Sequence, residues 1–168
     1  MDFTLEKWRT NFLEDFMLAT KDPHLADNMC ETLPYPMETA FAAEYIRERM
    51  FNSEERQMCR AIVCNDKAVG GVDVILGSGV FEKSGELSIW LAKEYRGKGL
   101  GAAVISEICS RCFEQYDIIR IEAHPYSVHP QAAAALIRAG FTHEGTMHSA
   151  IFKNGKTYDY EVFALIRH

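Results

Sequence analysis

Residues 88–108 read SIWLAKEYRGKGLGAAVISEI, an apolar strand pattern followed by a charged turn with three glycines and then by an apolar helical pattern. Glycine lowers the stability of a helix, so three glycines around a helix start need a separate reason. They let an anion approach the backbone closely, where the first turn of a helix leaves N–H groups without intrahelical partners. The stretch therefore predicts an anion site, although a turn that lets the helix cross the strand closely would use the same glycines.

Two cations accompany the glycines, and Arg96 and Lys98 would add positive charge beside a bound phosphate. A Walker loop is excluded, since its G-x-x-x-x-G-K-S/T pattern is absent. The residues of the predicted site are Arg96, Gly97, Lys98, Gly99, Leu100, Gly101 and Ala102.

A dinucleotide fingerprint fits this stretch in part. Gly97, Gly99 and Ala102 satisfy G-x-G-x-x-A, and Glu122 follows about 20 residues later, near the end of a predicted strand. The segment KEYR, however, separates the strand from the glycines, whereas a dinucleotide-binding turn leaves its strand directly. The chain after Glu122 also ends in a hairpin rather than in further βα units, so a dinucleotide-binding oxidoreductase is the weaker alternative.

Length and composition predict one soluble globular domain over residues 1–168, with 48% hydrophobic and 25% charged residues. The net charge of -6 disfavours nucleic acid as a partner and favours the approach of cationic small molecules. No apolar run reaches the roughly 20 residues of a membrane span, and MDFTLEKW lacks the pattern of a signal peptide. The five cysteines are irregularly spaced, and Cys109 and Cys112 lack a second pair, so we expect a cytoplasmic protein without a metal site.

Hydrophobic spacing predicts the element order β-α-α-β-β-β-α-β-α-β-β, which is a mixed sheet with helices on its faces in an α/β or α+β domain. Gly140 is placed as a C′ glycine, and Asn154-Gly155 is the strongest short hairpin signal. We predict a strand at 3–10, helices at 11–20 and 37–50, a hairpin at 57–77 with its turn at 65–67, a strand at 85–92, a helix at about 98–116, a strand at 117–124, a helix at 130–141 and a hairpin at 142–166.

Arg96-x-x-Gly99-x-Gly101 resembles the R/Q-x-x-G-x-G/A signature of the GNAT acyltransferases. The segments SIWLAKEYRGKGLG, IIRIEA and AGFTHEGT and the final Asn-Gly hairpin follow in that family's order and spacing, over nearly the whole chain. The resemblance is to the branch that contains ribosomal-protein N-terminal acetyltransferases and spermidine acetyltransferases. It implies the GNAT acyl-CoA N-acyltransferase fold, a mixed and mostly antiparallel sheet flanked by helices, whose glycine loop holds the pyrophosphate of acetyl-CoA.

The implied reaction passes an acetyl group from acetyl-CoA to a primary amine by direct attack. The acceptor is a protein N-terminus, a polyamine or another small amine, and the resemblance leaves a homodimer open. A protonated amine is no nucleophile, so a base must remove a proton, directly or through water. In the family, the strand before the loop holds the pantetheine arm through its backbone, and this role falls on Ile89, Trp90 and Leu91.

Glu86 is the predicted base, because family members often carry a glutamate at this position of the strand. Alternation places Glu86, Ser88 and Trp90 on one face. The plainer alternative is an edge carboxylate in solvent. Glu122 and His124 share a face of the neighbouring predicted strand and are the second choices.

Two positions depart from the family pattern. His129 stands where many relatives place an asparagine that contacts the cofactor, and its imidazole could bind the pantetheine or cap the following helix. Leu136 stands where many place a tyrosine acid, so no general acid is assigned. His148 and Asp159 are acceptor-side candidates or a solvated hairpin face. These departures keep a second alternative open, a non-catalytic sensor that binds acyl-CoA.

Overall fold

The computed structural model describes residues 1–29 and 33–167. Within these residues the chain forms five α-helices and seven β-strands. The helices are α1 (Leu13–Ala19), α2 (Pro23–Asn28), α3 (Thr39–Met50), α4 (Leu100–Gln115) and α5 (Pro130–Arg138). The strands are β1 (Thr4–Glu6), β2 (Gln57–Cys64), β3 (Lys67–Leu76), β4 (Ser84–Leu91), β5 (Arg120–Ala123), β6 (Thr142–Lys153) and β7 (Lys156–Ile166).

The strands form a sheet in the order β1-β2-β3-β4-β5-β7-β6. Strands β4 and β5 are parallel, which requires a crossover connection, and α4 provides it. The pairs β1/β2, β5/β7 and β6/β7 are antiparallel. The predicted mixed sheet flanked by helices is confirmed.

Contacts divide the chain into two compact units. The first contains the chain up to Asp73 together with Ile89–Leu100, and the second contains Val74–Ser88 and the chain from Gly101 onward. Strands β3 and β4 therefore contribute residues to both units. A single domain over residues 1–168 stays a prediction. No helix formed by the described residues is long and apolar enough to cross a membrane.

Aromatic side chains build the core of the first unit. The Trp8 ring meets those of Phe12, Phe16 and Tyr45 edge to face, with centroids 6.3, 6.2 and 5.9 Å apart. Phe16 and Tyr45 stack at 4.6 Å. Such pairs add stability beyond the area that they bury, so these rings contribute to the stability of the first unit.

Helix α4 buries the apolar face that its spacing predicted. Val104, Ile105, Ile108 and Cys112 are all buried. Cys109 is buried too, and this burial raises the pKa of its thiol to about 12. The two cysteines of the C-x-x-C pair thus pack as apolar helix residues. Cys30 lies outside the described residues.

The N-terminal segment differs most from the prediction. Strand β1 ends at Glu6 instead of extending to residue 10, and a short 3-10 turn precedes α1. Helix α2 was not predicted, although Asp22-Pro23 is a helix start signal, with an N-cap carboxylate followed by proline at N1. Strand β5 is likewise shorter than the predicted 117–124.

The predicted turns are confirmed, with one adjustment. Asn65 and Asp66 alone form the first hairpin turn, with φ of 50° and 63°, whereas we had included Lys67. Asn154 and Gly155 form the second turn. Helix α5 ends in a Schellman motif: the N–H groups of Gly140 and Phe141 donate to the carbonyls of Ile137 and Leu136, both at 3.0 Å.

Candidate active site

The charged turn between β4 and α4 holds the signature glycines. Gly97 and Gly99 have φ of +71° and +83°, which L side chains rarely adopt, and no heavy atom lies within 4 Å of a Cβ built on either. We predicted that this helix begins at about Lys98, but α4 begins at Leu100. The two positive φ angles explain the difference, because they are not helical. The arrangement is a helix N-terminus with open space at its glycines, which suits an anion.

Arg96 faces into the first unit rather than away from it. Its Nε donates to the Leu91 carbonyl at 2.8 Å, and its Nη1 donates to Asp22 Oδ2 at 2.9 Å. Its Nη2 is buried and has no hydrogen-bond partner among the described residues. Asp22 also caps α2 by accepting from the His24 N–H at 3.1 Å. Arg96 therefore ties the glycine loop to the start of α2.

Lys98 is exposed, and no ion pair joins it to a described residue. The ammonium group of Lys98 is therefore exposed to solvent, unlike the guanidinium of Arg96, which Asp22 binds. The predicted contacts of Arg96 and Lys98 with a phosphate stay predictions.

The pairing of β4 with β5 ends early. The parallel register runs from Ser84 opposite Arg120 to Glu86 opposite Glu122, and β5 ends at Ala123. Strand β4 continues to Leu91. The later part of β4 therefore has an edge that β5 does not use, which is a backbone edge to which an extended ligand can bind.

Backbone direction separates the three residues that were predicted to hold pantetheine. The Ala92 N–H donates to the Val69 carbonyl in β3 at 2.8 Å. Because backbone groups alternate in direction along a strand, Trp90 faces β3 with its backbone as well, and Ile89 and Leu91 face the opposite edge. This geometry favours Ile89 and the N–H of Leu91 for backbone contacts with a ligand, since the Leu91 carbonyl already accepts from Arg96.

Trp90 instead contributes its side chain to the core. Its Nε1 donates to the Tyr45 hydroxyl at 3.1 Å, and its ring stacks on Trp8 with centroids 6.3 Å apart. A Cβ on Gly71 would lie 2.6 Å from this Nε1, so glycine in β3 makes room for the indole. Trp90 therefore anchors the end of β4 just before the glycine loop.

The structure brings Glu86 and His124 together. Glu86 Oε1 lies 3.3 Å from His124 Nδ1. The Glu86 side chain is 58% exposed, whereas that of His124 is 13% exposed. Ser88 is exposed as well, and Trp90, which alternation placed on the same face, is buried. Of Glu86 and His124, Glu86 is therefore the more accessible to solvent and ligands.

The hydrogen bond from His124 lowers the pKa of Glu86, against the opposing effect of burial. Glu86 is thus an anion at neutral pH. An accessible carboxylate anion attracts an ammonium group and can take a proton from it, directly or through water.

Glu122 is held differently. It accepts from Arg120 Nε at 3.0 Å, and Arg120 also binds Glu144 through two parallel hydrogen bonds of 2.9 and 2.7 Å. The Arg120 guanidinium holds the pKa of the Glu144 carboxyl below its usual value. Since Glu122 is already paired, Glu86 is the better placed of the two predicted carboxylates.

The two residues that depart from the family pattern, His129 and Leu136, both pack against their surroundings in the structure. His129 is the N-cap residue of α5, but its side chain makes no capping hydrogen bond, and its ring stacks on Tyr126 with centroids 5.8 Å apart. The capping alternative is therefore not observed, and contact with the pantetheine stays a prediction. Leu136 is 4% exposed, so the position of the missing tyrosine is a core position here.

His148 and Asp159 join across a bulge of the final hairpin. The register shifts between Met147 and Ile151, and Asp159 spans the shift by accepting from the Ser149 N–H at 2.8 Å and lying 3.0 Å from His148 Nδ1. These contacts lower the pKa of the Asp159 carboxyl. Their observed role is local, and an acceptor-side role stays a prediction.

Sequence reasoning missed two residues of the site. Asp22, the partner of Arg96, is separated from it by 74 residues and carried only a helix start signal. Tyr160 has its ring against His124, with centroids 4.9 Å apart. The alternating run YDYEV could have placed Tyr158 and Tyr160 on one face, but not beside β5, because that pairing is not local.

The fold and this site define a class of protein. The acetyltransferase (GNAT) domain matches residues 2–142, which is most of the chain. The chain therefore belongs to the GNAT acetyltransferase family, and the resemblance in the glycine loop is confirmed.

Several similar proteins carry names of the branch that the sequence indicated. YdaF of Bacillus subtilis strain 168, whose name describes a ribosomal N-acetyltransferase, is 26% identical over 85 residues, or 51% of this chain and 46% of that protein. The match thus spans about half the length of this curated relative.

Two solved structures share the fold over nearly the whole chain. The microcin C7 self-immunity acetyltransferase MccE, in complex with acetyl-CoA and AMP, has a TM-score of 0.87 at 20% identity, covering 99% of this chain and 93% of that one. Spermidine N-acetyltransferase from Vibrio cholerae, in complex with CoA and spermine, has a TM-score of 0.80 at 19% identity, covering 98% of this chain and 95% of that one.

Proposed function

We propose that this protein is an acetyl-CoA-dependent N-acetyltransferase that transfers the acetyl group to a primary amine. The observation that carries the proposal is the glycine loop at the start of α4, where Gly97 and Gly99 have positive φ and open space above them. Family membership over residues 2–142 supports the same reaction. It also weighs against a dinucleotide-binding oxidoreductase, which is supported only by the short G-x-G-x-x-A match.

The residues present fit acetyl-CoA. The N–H groups at the start of α4 and the Lys98 ammonium would receive the phosphates. Backbone groups of Ile89 and Leu91 would hold the pantetheine arm along the edge of β4 that β5 does not use. The proposed cofactor contacts are the predicted residues Ile89, Leu91, Arg96, Gly97, Lys98, Gly99, Leu100, Gly101, Ala102 and His129. Trp90, the remaining member of the predicted set, supports them from the core side by anchoring the end of β4.

Glu86 is the proposed base. Its carboxylate attracts the acceptor as a cation and takes one proton from the ammonium, directly or through water. The free amine nitrogen then forms a C–N bond with the thioester carbonyl carbon, the C–S bond breaks with its electron pair on sulfur, and the cationic nitrogen releases its second proton to solvent to give the amide. No tyrosine acid stands at Leu136, so we propose that the thiolate leaves without a protein acid and takes its proton from solvent.

The proposed acceptor is a cationic primary amine. The net charge of -6 and the exposed anion Glu86 favour a cationic amine. A protein N-terminus and a polyamine are the two classes that the names of the similar proteins suggest. A cytoplasmic location and a homodimer stay predictions from the sequence.

A thiol-release assay over an amine panel tests the function. The panel contains spermidine, peptides with free N-termini, amino acids and an aminoglycoside, each with acetyl-CoA and purified protein. We expect steady release of CoA with at least one cationic amine. Tight acetyl-CoA binding with no release for any amine would favour the sensor, and tight NAD(H) binding by calorimetry would revive the dinucleotide alternative.

The link between Arg96 and Asp22 predicts a change in acetyl-CoA affinity. Asp22→Asn keeps an N-cap residue for α2 but removes the charge that holds Arg96. We expect the Kd for acetyl-CoA to rise about tenfold, or about 1.4 kcal/mol, because the loop loses its tie to the start of α2. Calorimetry measures this. The control is Glu107→Gln, which removes an exposed ion pair on α4 and should leave Kd unchanged; an unchanged Kd in Asp22→Asn would show that the tie does not position the loop.

A further inference from the structure

We propose that His124 is a positioning residue for Glu86, which it holds in place by donating a hydrogen bond from Nδ1 to Oε1. This inference rests on the proposed function, because it concerns how the proposed base is oriented. In this arrangement the substrate amine meets Glu86, and His124 acts only through it.

The solvent exposure of the two side chains shows which is the base and which is the positioning residue in this proposal. Glu86 is 58% exposed and His124 is 13% exposed, so an acceptor that arrives from solvent reaches the carboxylate and not the imidazole. The hydrogen bond at 3.3 Å engages Oε1. Oε2 has no hydrogen bond to the described residues, which leaves it to accept a proton from the amine. A carboxylate fixed at one oxygen loses less rotamer freedom when it binds the acceptor.

The surroundings of His124 hold the imidazole in turn. The Tyr160 ring of β7 packs against it at 4.9 Å between centroids, tilted by 34°. Glu122 Oε1 lies 3.9 Å from its Nε2. Among the described residues, the charged and titratable groups in contact with His124 are thus Glu86 from β4, Glu122 from β5 and Tyr160 from β7. Arg120 pairs with Glu122 beside them.

This arrangement has an electrostatic consequence. A donor on Nδ1 stabilises the ionised carboxylate, and this is the main cause of the lowered pKa of Glu86. The anion therefore persists to lower pH than an unpaired glutamate would allow. Removing the donor should raise the pKa of Glu86, whereas a role of His124 in packing alone would leave it where it is.

Two variants separate these possibilities. His124→Asn keeps an N–H donor close to the position of Nδ1, and His124→Leu removes it while retaining bulk against Tyr160. We expect His124→Leu to lower kcat about 10- to 100-fold, the scale of a small misplacement of a catalytic group. We expect His124→Asn to recover most of this loss. Thermal unfolding and acetyl-CoA affinity identify any variant that is merely misfolded.

The decisive readout is a carbon NMR titration of the Glu86 carboxyl, assigned by its absence in Glu86→Gln. The pKa should rise in His124→Leu and stay low in His124→Asn, and an unchanged pKa in His124→Leu would overturn the inference. In a Glu86→Gln background, His124→Leu should cost no further activity, and an additive loss would also overturn it. The titration needs no turnover, so if no amine is acetylated the proposed function fails while this result still reports on the pair.

Discussion

Glu86→Gln is expected to lower the rate of acetyl transfer by about 10²–10⁴-fold at neutral pH, the usual span for a general base. The substitution keeps the shape of the side chain and removes both its charge and its ability to take a proton. Acetyl-CoA affinity should barely change, because the proposed phosphate contacts lie in the glycine loop. Steady-state CoA release and calorimetry on the same preparations measure the two quantities.

The pH dependence of this loss follows from two pKa values. The acceptor amine is mostly protonated at neutral pH, with a model lysine pKa of about 10.4, so it needs the base most there. As pH rises, free amine accumulates and the deficit of Glu86→Gln should shrink. At acid pH, the wild-type rate should fall only once Glu86 itself is protonated, and its hydrogen bond with His124 moves that point to lower pH by lowering the pKa of Glu86.

A matched control lies just ahead of the same strand. Glu82 is an exposed glutamate ahead of β4, and Glu82→Gln removes the same charge without touching the site. It should retain wild-type activity. Nearly full activity of Glu86→Gln at neutral pH would place the base elsewhere, and Glu122 and His124 would be the next residues to substitute.

Gly99→Val should abolish measurable binding of acetyl-CoA. A β-branched residue at φ of +83° is strained, by about 1–2 kcal/mol, and its side chain would fill the open space where the phosphates are proposed to lie. Calorimetry should then show no saturable heat with acetyl-CoA. NAD(H) should show none with either protein.

The strain and the lost contact can be told apart with a second glycine. Gly79 also has positive φ, at +59°, and no heavy atom lies within 4 Å of a Cβ built on it, but it lies in the connection between β3 and β4. Gly79→Val therefore imposes a similar backbone strain away from the glycine loop, and it should bind acetyl-CoA normally. If a folded Gly99→Val also keeps its affinity, the phosphates do not lie on this loop.

The glycine loop and the hairpins were predictable because their signals are local. An Asn-Gly turn and a C′ glycine each act over a few residues, and the structure confirms both. The glycines of the loop were recognisable in the same way, and the structure gives Gly97 and Gly99 positive φ. Helix α2 carried a local signal too, in Asp22-Pro23, but six helical residues are too few to give a periodic pattern that could support it.

The contacts of the site were only partly predictable. The pairing of Glu86 with His124 follows from two strands that are adjacent through one crossover, and the sequence placed both residues on neighbouring strands. Tyr160 reaches His124 because β7, and not β6, pairs with β5, which the order of elements along the chain does not reveal. Arg96 was expected at a phosphate, but Asp22 engages its guanidinium from far away in the sequence.

Acetyl transfer itself is tested most directly by mass spectrometry with isotope-labelled acetyl-CoA. The protein is incubated with the labelled thioester and the amine panel, with Glu86→Gln as the comparison. We predict that the label appears on the nitrogen of a primary amine in an amount equal to the free CoA released, and much more slowly with Glu86→Gln. CoA release without labelled amine, or labelled amine at the same rate with both proteins, would contradict the account.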